Sequence, residues 1–465
     1  MARMRRLLLL TACLLCVSAA ATAQTTTLPA DLTAKIDAAV ADALKSTGAP
    51  SASIAVVKDG QLAYAHAYGL ASVETKTAAT AAMRYSIGSV SKQFAASAIL
   101  LLAEEGKLSL DDRVEKFVPG LTRGGDVTLR QLLSMTSGYQ DYWPQDYVMP
   151  GMLKPVTPDE IVSRWAKIPL DFEPGTQWQY SNTNYVIVGL VVQKVSGQPL
   201  FDFLQQRIFS KLGMTTIQNI DEAALGPSDA ARYTRVATAP VRPAPKEGRG
   251  WIFAAGELAM TASDLAKWDI SLIQQSVLKA ESYRALETET LLASGAGTSY
   301  GLGVSVRMAG GHRLIVHTGE VSGFTAYNGV YPDDKIAVVV LVNLDASGAS
   351  GIAANKISQL LLAPPSEQAP LAQAKQILAG LQKGAIDRSL LTDNASFYFS
   401  PQALKDFQSS LGPLGEPTSV TQEGQSLRGG MTFRSFRAAY SKETFRITTF
   451  TMPDGKLEQF LVAPE

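Results

Sequence analysis

Ser89 and Lys92 stand three residues apart in "SIGSVSKQF", at the head of an apolar run. Read as the start of a helix over 89–105, that spacing puts both side chains on one face. A serine hydroxyl is a poor nucleophile until a base takes its proton. A lysine serves as that base when burial and neighbours lower its pKa. The free backbone N–H groups of a helix start also stabilise a developing oxyanion. Ser86 and Ser91 lack the i, i+3 relation to Lys92. Taken alone, Ser-x-x-Lys equally describes a capping serine followed by a surface lysine.

Two further stretches carry reactive types. "WQYSNTNYVIVG" sets Tyr180, Ser181 and Asn182 ahead of an apolar helix, where Asn182 or Thr183 would also serve as a cap. "LIVHTGEVSGF" sets His317, Thr318 and Gly319 at the end of an apolar strand, a place where a histidine is often structural. "GTSYG", residues 297–301, matches the Gly-x-Ser-x-Gly elbow. That elbow needs a strand before Ser299 and a helix after it, whereas a polar segment precedes and the alternating "YGLGVSV" follows. The three histidines are His66, His312 and His317. A strand points His312 and His317 to opposite faces, so no metal site is expected, and no cofactor.

Several elements must hold these residues. Leu32, Ile36, Val40 and Leu44 mark an amphipathic helix over 31–46. Two apolar runs then flank Asp59-Gly60, a strong hairpin signal. Helical segments follow near 89–105, 158–166, 183–196, 200–209 and 261–275. Strands return at 300–308, 312–318, 324–331 and 336–344. This order predicts an α/β (α+β) domain over 24–362, with one antiparallel sheet built from both ends, flanked by helices, and a helical subdomain between. "LLAPPSEQAP" reads as a break, with a linker at 363–370. Beyond it, helices at 371–382 and 401–409 and strands at 431–440, 443–452 and 456–462 predict a small α+β domain over 371–465. Asp454-Gly455 is read as its hairpin turn.

Composition bounds the function. The 465 residues are 46% apolar and 18% charged, globular material. Lys plus Arg equals Asp plus Glu at 42 each, so there is no basic excess to neutralise nucleic-acid phosphates. Lys405, Arg434, Arg437, Lys442 and Arg446 read as solvated faces of the last domain. Arg3, Arg5 and Arg6, an apolar run and Ala21-Thr22-Ala23 have the layout of a secretory signal over 1–23, which predicts a periplasmic or secreted protein. Cleavage there removes Cys13 and Cys16. Leu10-Thr11-Ala12-Cys13 offers a lesser route, lipid attachment at Cys13, although the apolar stretch before it is short. No later apolar run reaches the ~18 residues of a membrane span.

The three constellations, in this order, resemble the serine β-lactamase and penicillin-binding protein superfamily, in its class C β-lactamase and D-alanyl-D-alanine carboxypeptidase-like branch. The resemblance runs from about residue 35 to 360. It is supported by "LAEEGKLSLDDRVEKFVPG", "VTLRQLLSMTSGY", "FEPGTQWQYSNTNYVIVGLVVQKVSGQPL" and "GELAMTASDLAKW". It implies a β-lactamase/transpeptidase-like fold and a serine hydrolase. Ser89 would be the acyl-accepting nucleophile and Lys92 its base. Tyr180 would shuttle protons, its phenol pKa lowered by Lys92. Asn182 would orient Lys92 and the substrate. The backbone N–H groups of Ser89 and Glu320 would form the oxyanion hole, and Gly319 would let substrate lie close to the strand beside Thr318.

Two departures stand out. The family commonly has Lys-Thr-Gly where this chain has His317-Thr318-Gly319. An imidazole titrates near pH ~6.5, so a permanent charge becomes conditional, and anionic substrates should gain as pH falls. That weakens the case for penicillins and for peptides ending in a D-alanine carboxylate. Met135 stands where relatives often carry histidine, and is read as loop packing. The expectation is an exported hydrolase of small ester, amide or D-amino acid-containing substrates, with slow lactam turnover at best. The competing class is a non-catalytic receptor for cell-wall fragments or a partner protein. The last domain resembles cystatin- or NTF2-like modules.

Overall fold

The computed structural model describes residues 27–145, 147–362, 368–452 and 455–465. The signal segment with Cys13 and Cys16, residues 363–367 of the expected linker, and Asp454 lie outside the described residues.

Helix α1 (Ala30–Thr47) leads into a hairpin of β1 (Ser51–Lys58) and β2 (Gln61–Ser72). Its turn is Asp59-Gly60, with φ of 54° and 73°, as a two-residue hairpin turn requires. A short strand, β3 (Thr77–Ala78), borders β2. The rest of the sheet comes from β4 (Ser305–Ala309), β5 (His312–Val321), β6 (Phe324–Tyr331) and β7 (Ile336–Val342). The order is β3-β2-β1-β7-β6-β5-β4, and every pairing is antiparallel. The two ends of the domain thus meet at β1 and β7, with Ile54 opposite Val340.

Both faces of this sheet are covered, which is why its central strands are apolar without alternation. Ile54, Val56, Val338 and Val340 face α1 and α5 (Ala349–Leu361). Ala55, Val57, Val339 and Leu341 face the larger core. That core holds α2 (Lys92–Glu104), α3 (Asn182–Ser196) and α4 (Ala262–Gln274).

The expected helix over 89–105 divides in two. Gly88–Ser91 is a 3₁₀ turn, with the Val90 N–H bonded to the Ile87 carbonyl, and the α-helix begins at Lys92. Gly88 has φ of +50°, so regular helix cannot run through it. Nor is α2 amphipathic: every residue from Lys92 to Leu102 is buried, because the helix lies between the sheet and the helical layer. The strand expected at 300 begins at Ser305, since Ser299 and Gly303 both take positive φ. Helix α5 was not foreseen, and its small residues give a weak periodic signal.

Beyond residue 367, α6 (Gln368–Gln382) starts inside the expected linker and takes Pro370 into its first turn, where the missing N–H costs nothing. After α7 (Pro401–Leu411) come four antiparallel strands in sequential order: β8 (Ser419–Arg428), β9 (Met431–Ala439), β10 (Thr444–Thr451) and β11 (Leu457–Pro464). Strand β8, rich in polar residues, was also not foreseen. Ile377, Leu381, Phe436, Ile447 and Phe460 form a separate core there. The β8–β9 turn reaches the larger body, where the Gly430 N–H donates to the Glu289 carboxylate at 3.3 Å.

Candidate active site

The turn that carries Ser89 packs directly against β5, and two glycines permit this. A Cβ on Gly88 would stand 2.7 Å from the Glu320 nitrogen. A Cβ on Gly319 would overlap the Ile87 carbonyl oxygen and stand 3.2 Å from the Ser89 nitrogen. The absence of both side chains brings the backbone of Glu320 beside that of Ser89.

Lys92 is fully buried one turn further on. Its Nζ lies 2.9 Å from Ser89 Oγ, 2.8 Å from Asn182 Oδ1 and 2.8 Å from the Ala255 carbonyl oxygen. Two of these partners only accept. A neutral amine that donates to both therefore turns its lone pair toward the serine hydroxyl, the orientation of a base. Burial favours that neutral form and draws the Lys92 pKa from 10.5 down to about 7, against an opposing pull from Asp141. The rings of Tyr180 and Tyr185 lie 5.0 Å and 5.5 Å from Nζ.

Tyr180 reaches the same hydroxyl, but its expected activation is reversed. Burial pushes its phenol above the ordinary value of 10, and the hydrogen bond with Ser89 only partly opposes this. Lys92 Nζ lies 5.0 Å from the ring centre and is itself driven toward neutrality by burial, so it does not counter this. Tyr180 therefore keeps its proton.

His317 also departs from expectation. Burial, aided by the nearby Lys92, holds its pKa near about 3. Nδ1 lies 2.6 Å from the Thr318 carbonyl and must carry the proton. Nε2 then accepts from the Tyr300 hydroxyl at 2.9 Å. The imidazole is neutral across the physiological range, so the conditional charge expected of it is absent. Thr318 and Glu320 are exposed and Gly319 is buried between them on β5.

Asn182 opens α3 and is held from behind by a residue that the sequence did not single out. Asp141 Oδ1 accepts from the Asn182 backbone N–H at 3.0 Å, and the two Asp141 oxygens lie 3.2 Å and 3.3 Å from Asn182 Nδ2. The Trp143 N–H caps the same carboxylate at 3.1 Å. Burial raises the pKa of Asp141. Its position between Gln140 and Tyr142, in a loop that matches no motif, carried no signal of this. Met135 does more than pack. With φ of +62°, its sulfur accepts from the Ser181 N–H at 3.4 Å and from Asn184 Nδ2 at 3.6 Å, and so fixes the segment bearing Tyr180 and Asn182.

A cavity of about 970 Å³ opens over Ser89. Tyr142, Trp143, Tyr147 and Val148 supply apolar lining, and β5 and the start of α5 supply backbone. Asp141, Glu320 and Asp345 also line it. Arg235 does too, but its guanidinium is engaged by the Thr47 carbonyl. The arrangement gathers a serine hydroxyl, a desolvated amine, a protonated phenol and the adjacent backbones of Ser89 and Glu320 at one space, groups that could serve as nucleophile, base, proton donor and oxyanion hole.

Known proteins share this architecture. A family model described as Beta-lactamase matches residues 36–363. A D-aminopeptidase of Brucella anthropi is 28% identical over 327 residues, which is 70% of this chain and 61% of that protein. The chain thus matches less than two thirds of that relative's length. A D-stereospecific amidohydrolase from Streptomyces superposes with a TM-score of 0.61 at 28% identity, over 69% of this chain and 96% of that one. The octameric penicillin-binding protein homologue from Pyrococcus abyssi superposes with a TM-score of 0.62 at 25% identity. It covers 93% of this chain and 95% of its own, and so takes in residues beyond the family match.

Proposed function

Because this chain belongs to the beta-lactamase family, we propose that it is a serine hydrolase that cleaves amide or ester bonds of D-amino acid-containing substrates through an acyl-enzyme on Ser89. One observation carries the reading: a desolvated lysine whose donors are taken by two carbonyl oxygens and whose third direction is the Ser89 hydroxyl. Lys92 takes the hydroxyl proton as Oγ attacks the carbonyl carbon. The Ser89 and Glu320 N–H groups stabilise the oxyanion. Tyr180, protonated, gives its hydrogen to the leaving nitrogen or oxygen as the scissile bond breaks. It is recharged through Lys92. Water then attacks the ester, with Lys92 again as base, and restores Ser89.

The substrate class rests on charge. Among the described lining residues, His317 is neutral, Arg235 turns a guanidinium N–H to the Thr47 carbonyl, and three carboxylates face the space, a balance that disfavours a substrate carboxylate. This favours amidase or aminopeptidase action over carboxypeptidase or β-lactamase action, in keeping with the names of the relatives. The test is a kinetic panel of D- and L-amino acid p-nitroanilides, a p-nitrophenyl ester, a D-Ala-D-Ala peptide and a chromogenic cephalosporin. Turnover of the D-anilides, abolished by Ser89→Ala, is expected. Turnover confined to the carboxylate-bearing substrates would overturn the assignment, and none at all, with no covalent phosphonate labelling, would favour a receptor. Export with loss of residues 1–23 belongs to the same proposal, and a mature N-terminus at Gln24 is its signature.

A further inference from the structure

Asn182 presents Oδ1 to Lys92 and Nδ2 to Asp141. An amide has nearly the same shape when flipped, and a flipped Asn182 would set its NH₂ against the amine. A carboxylate accepts and does not donate, so the oxygens of Asp141 select one of the two orientations. The same carboxylate takes the backbone N–H groups of Asn182 and Trp143, which lie on two different segments. It is a half-buried carboxylate built into the junction between the 139–143 loop and the start of α3.

We propose that Asp141 is a positioning residue for the acylation step: its carboxylate locks Asn182 with Oδ1 toward Lys92 and keeps Lys92 basic enough to deprotonate Ser89. The inference rests on the hydrolase reading above. Lys92 needs such support because full burial works against its protonated form, which must exist for a moment in every turnover. The titratable groups facing Lys92 are few. Tyr180 and Tyr185 lie against it from the start of α3 and His317 from β5. The phenols keep their protons and the imidazole is neutral, so among these groups Asp141 supplies the anionic charge.

The test compares wild type with Asp141→Asn, which keeps the shape, and Asp141→Glu, which keeps the charge. The readouts are the pH profile of kcat/KM for an uncharged p-nitrophenyl ester and the titration of the Lys92 side chain by NMR in the free protein. In Asp141→Asn the acid limb is expected to move down by about one pH unit, with a plateau at least tenfold lower. In Asp141→Glu the plateau falls while the limb stays near its wild-type position. A purely structural role would lower the rate equally at every pH. An unmoved limb and an unmoved NMR titration in Asp141→Asn overturn the proposal. So does a rise in KM confined to amine-bearing substrates, which would make Asp141 a substrate site. If wild type itself turns over no ester, the hydrolase reading fails. The NMR titration still decides whether Asp141 controls the amine.

Discussion

Replacing Lys92 by Met separates its electrostatic cost from its contacts. Its pKa falls from 10.5 in water to about 7 in the folded chain. Between those values the unfolded chain binds a proton at this lysine that the folded chain does not, so the Lys92 contribution to stability rises with pH across that window. The slope contributed by one such group is at most ~1.4 kcal/mol per pH unit, and, with the folded amine half protonated at pH 7, about 2 kcal/mol accrues between pH 7 and 9. Lys92→Met lacks this term. It also leaves the Ala255 carbonyl and Asn182 Oδ1 without a donor, at ~1–3 kcal/mol each, but that loss is the same at every pH and cancels in the slope. His317 titrates below the window; Glu257 and Asp269, each drawn up to about 8 by burial, titrate inside it, but they do so in both proteins and cancel in the comparison. Urea unfolding at pH 7, 8 and 9, followed by tryptophan fluorescence, measures the difference. The five tryptophans, at 143, 165, 178, 251 and 268, all lie within the family match, so the signal reports that domain. The stability of wild type relative to Lys92→Met should climb by about 2 kcal/mol from pH 7 to 9. Parallel pH dependences would refute the claim that Lys92 is neutral in the folded state, and with it the base assigned to Ser89.

Other outcomes follow from the same geometry. For wild type and an uncharged ester, kcat/KM should rise through an acid limb near pH 7 and stay level to pH 9, since neutral Lys92 is the active form and Tyr180 keeps its proton; a limb near 4 would point to a carboxylate base. His317→Gln should leave that profile unshifted, because the imidazole is uncharged throughout. Tyr180→Phe should slow p-nitroanilide hydrolysis by about 10²–10⁴ and nitrophenyl esters far less, as nitrophenolate leaves without a proton; equal losses would remove Tyr180 from the leaving-group step. Gly319→Ala should cost about 10²–10³ in kcat by forcing β5 off the Ser89 turn, and wild-type turnover in that variant would deny an oxyanion role to the Glu320 N–H.

Much was legible before any coordinates. The i, i+3 spacing of Ser89 and Lys92, the Asp59-Gly60 turn and the apolar runs that became β1 and β7 are local facts, set by backbone geometry and side-chain period. The order of the three motifs was enough to name the family. The protonation states were not legible. Whether a lysine is a base depends on what excludes water from it, and here that is Ala255, 163 residues away, Asn182, 90 away, and an α2 buried on every side. His317 looked titratable because an imidazole is so in water; burial behind β5, aided by Lys92, made it neutral against the opposing pull of the Thr318 carbonyl. Asp141 looked like any loop aspartate until folding set it against Asn182, 41 residues on. Residue types and their spacing are written in the chain, whereas dielectric and hydrogen-bond partnership belong to the assembled surroundings, so only the tertiary structure decided which of these groups carry charge.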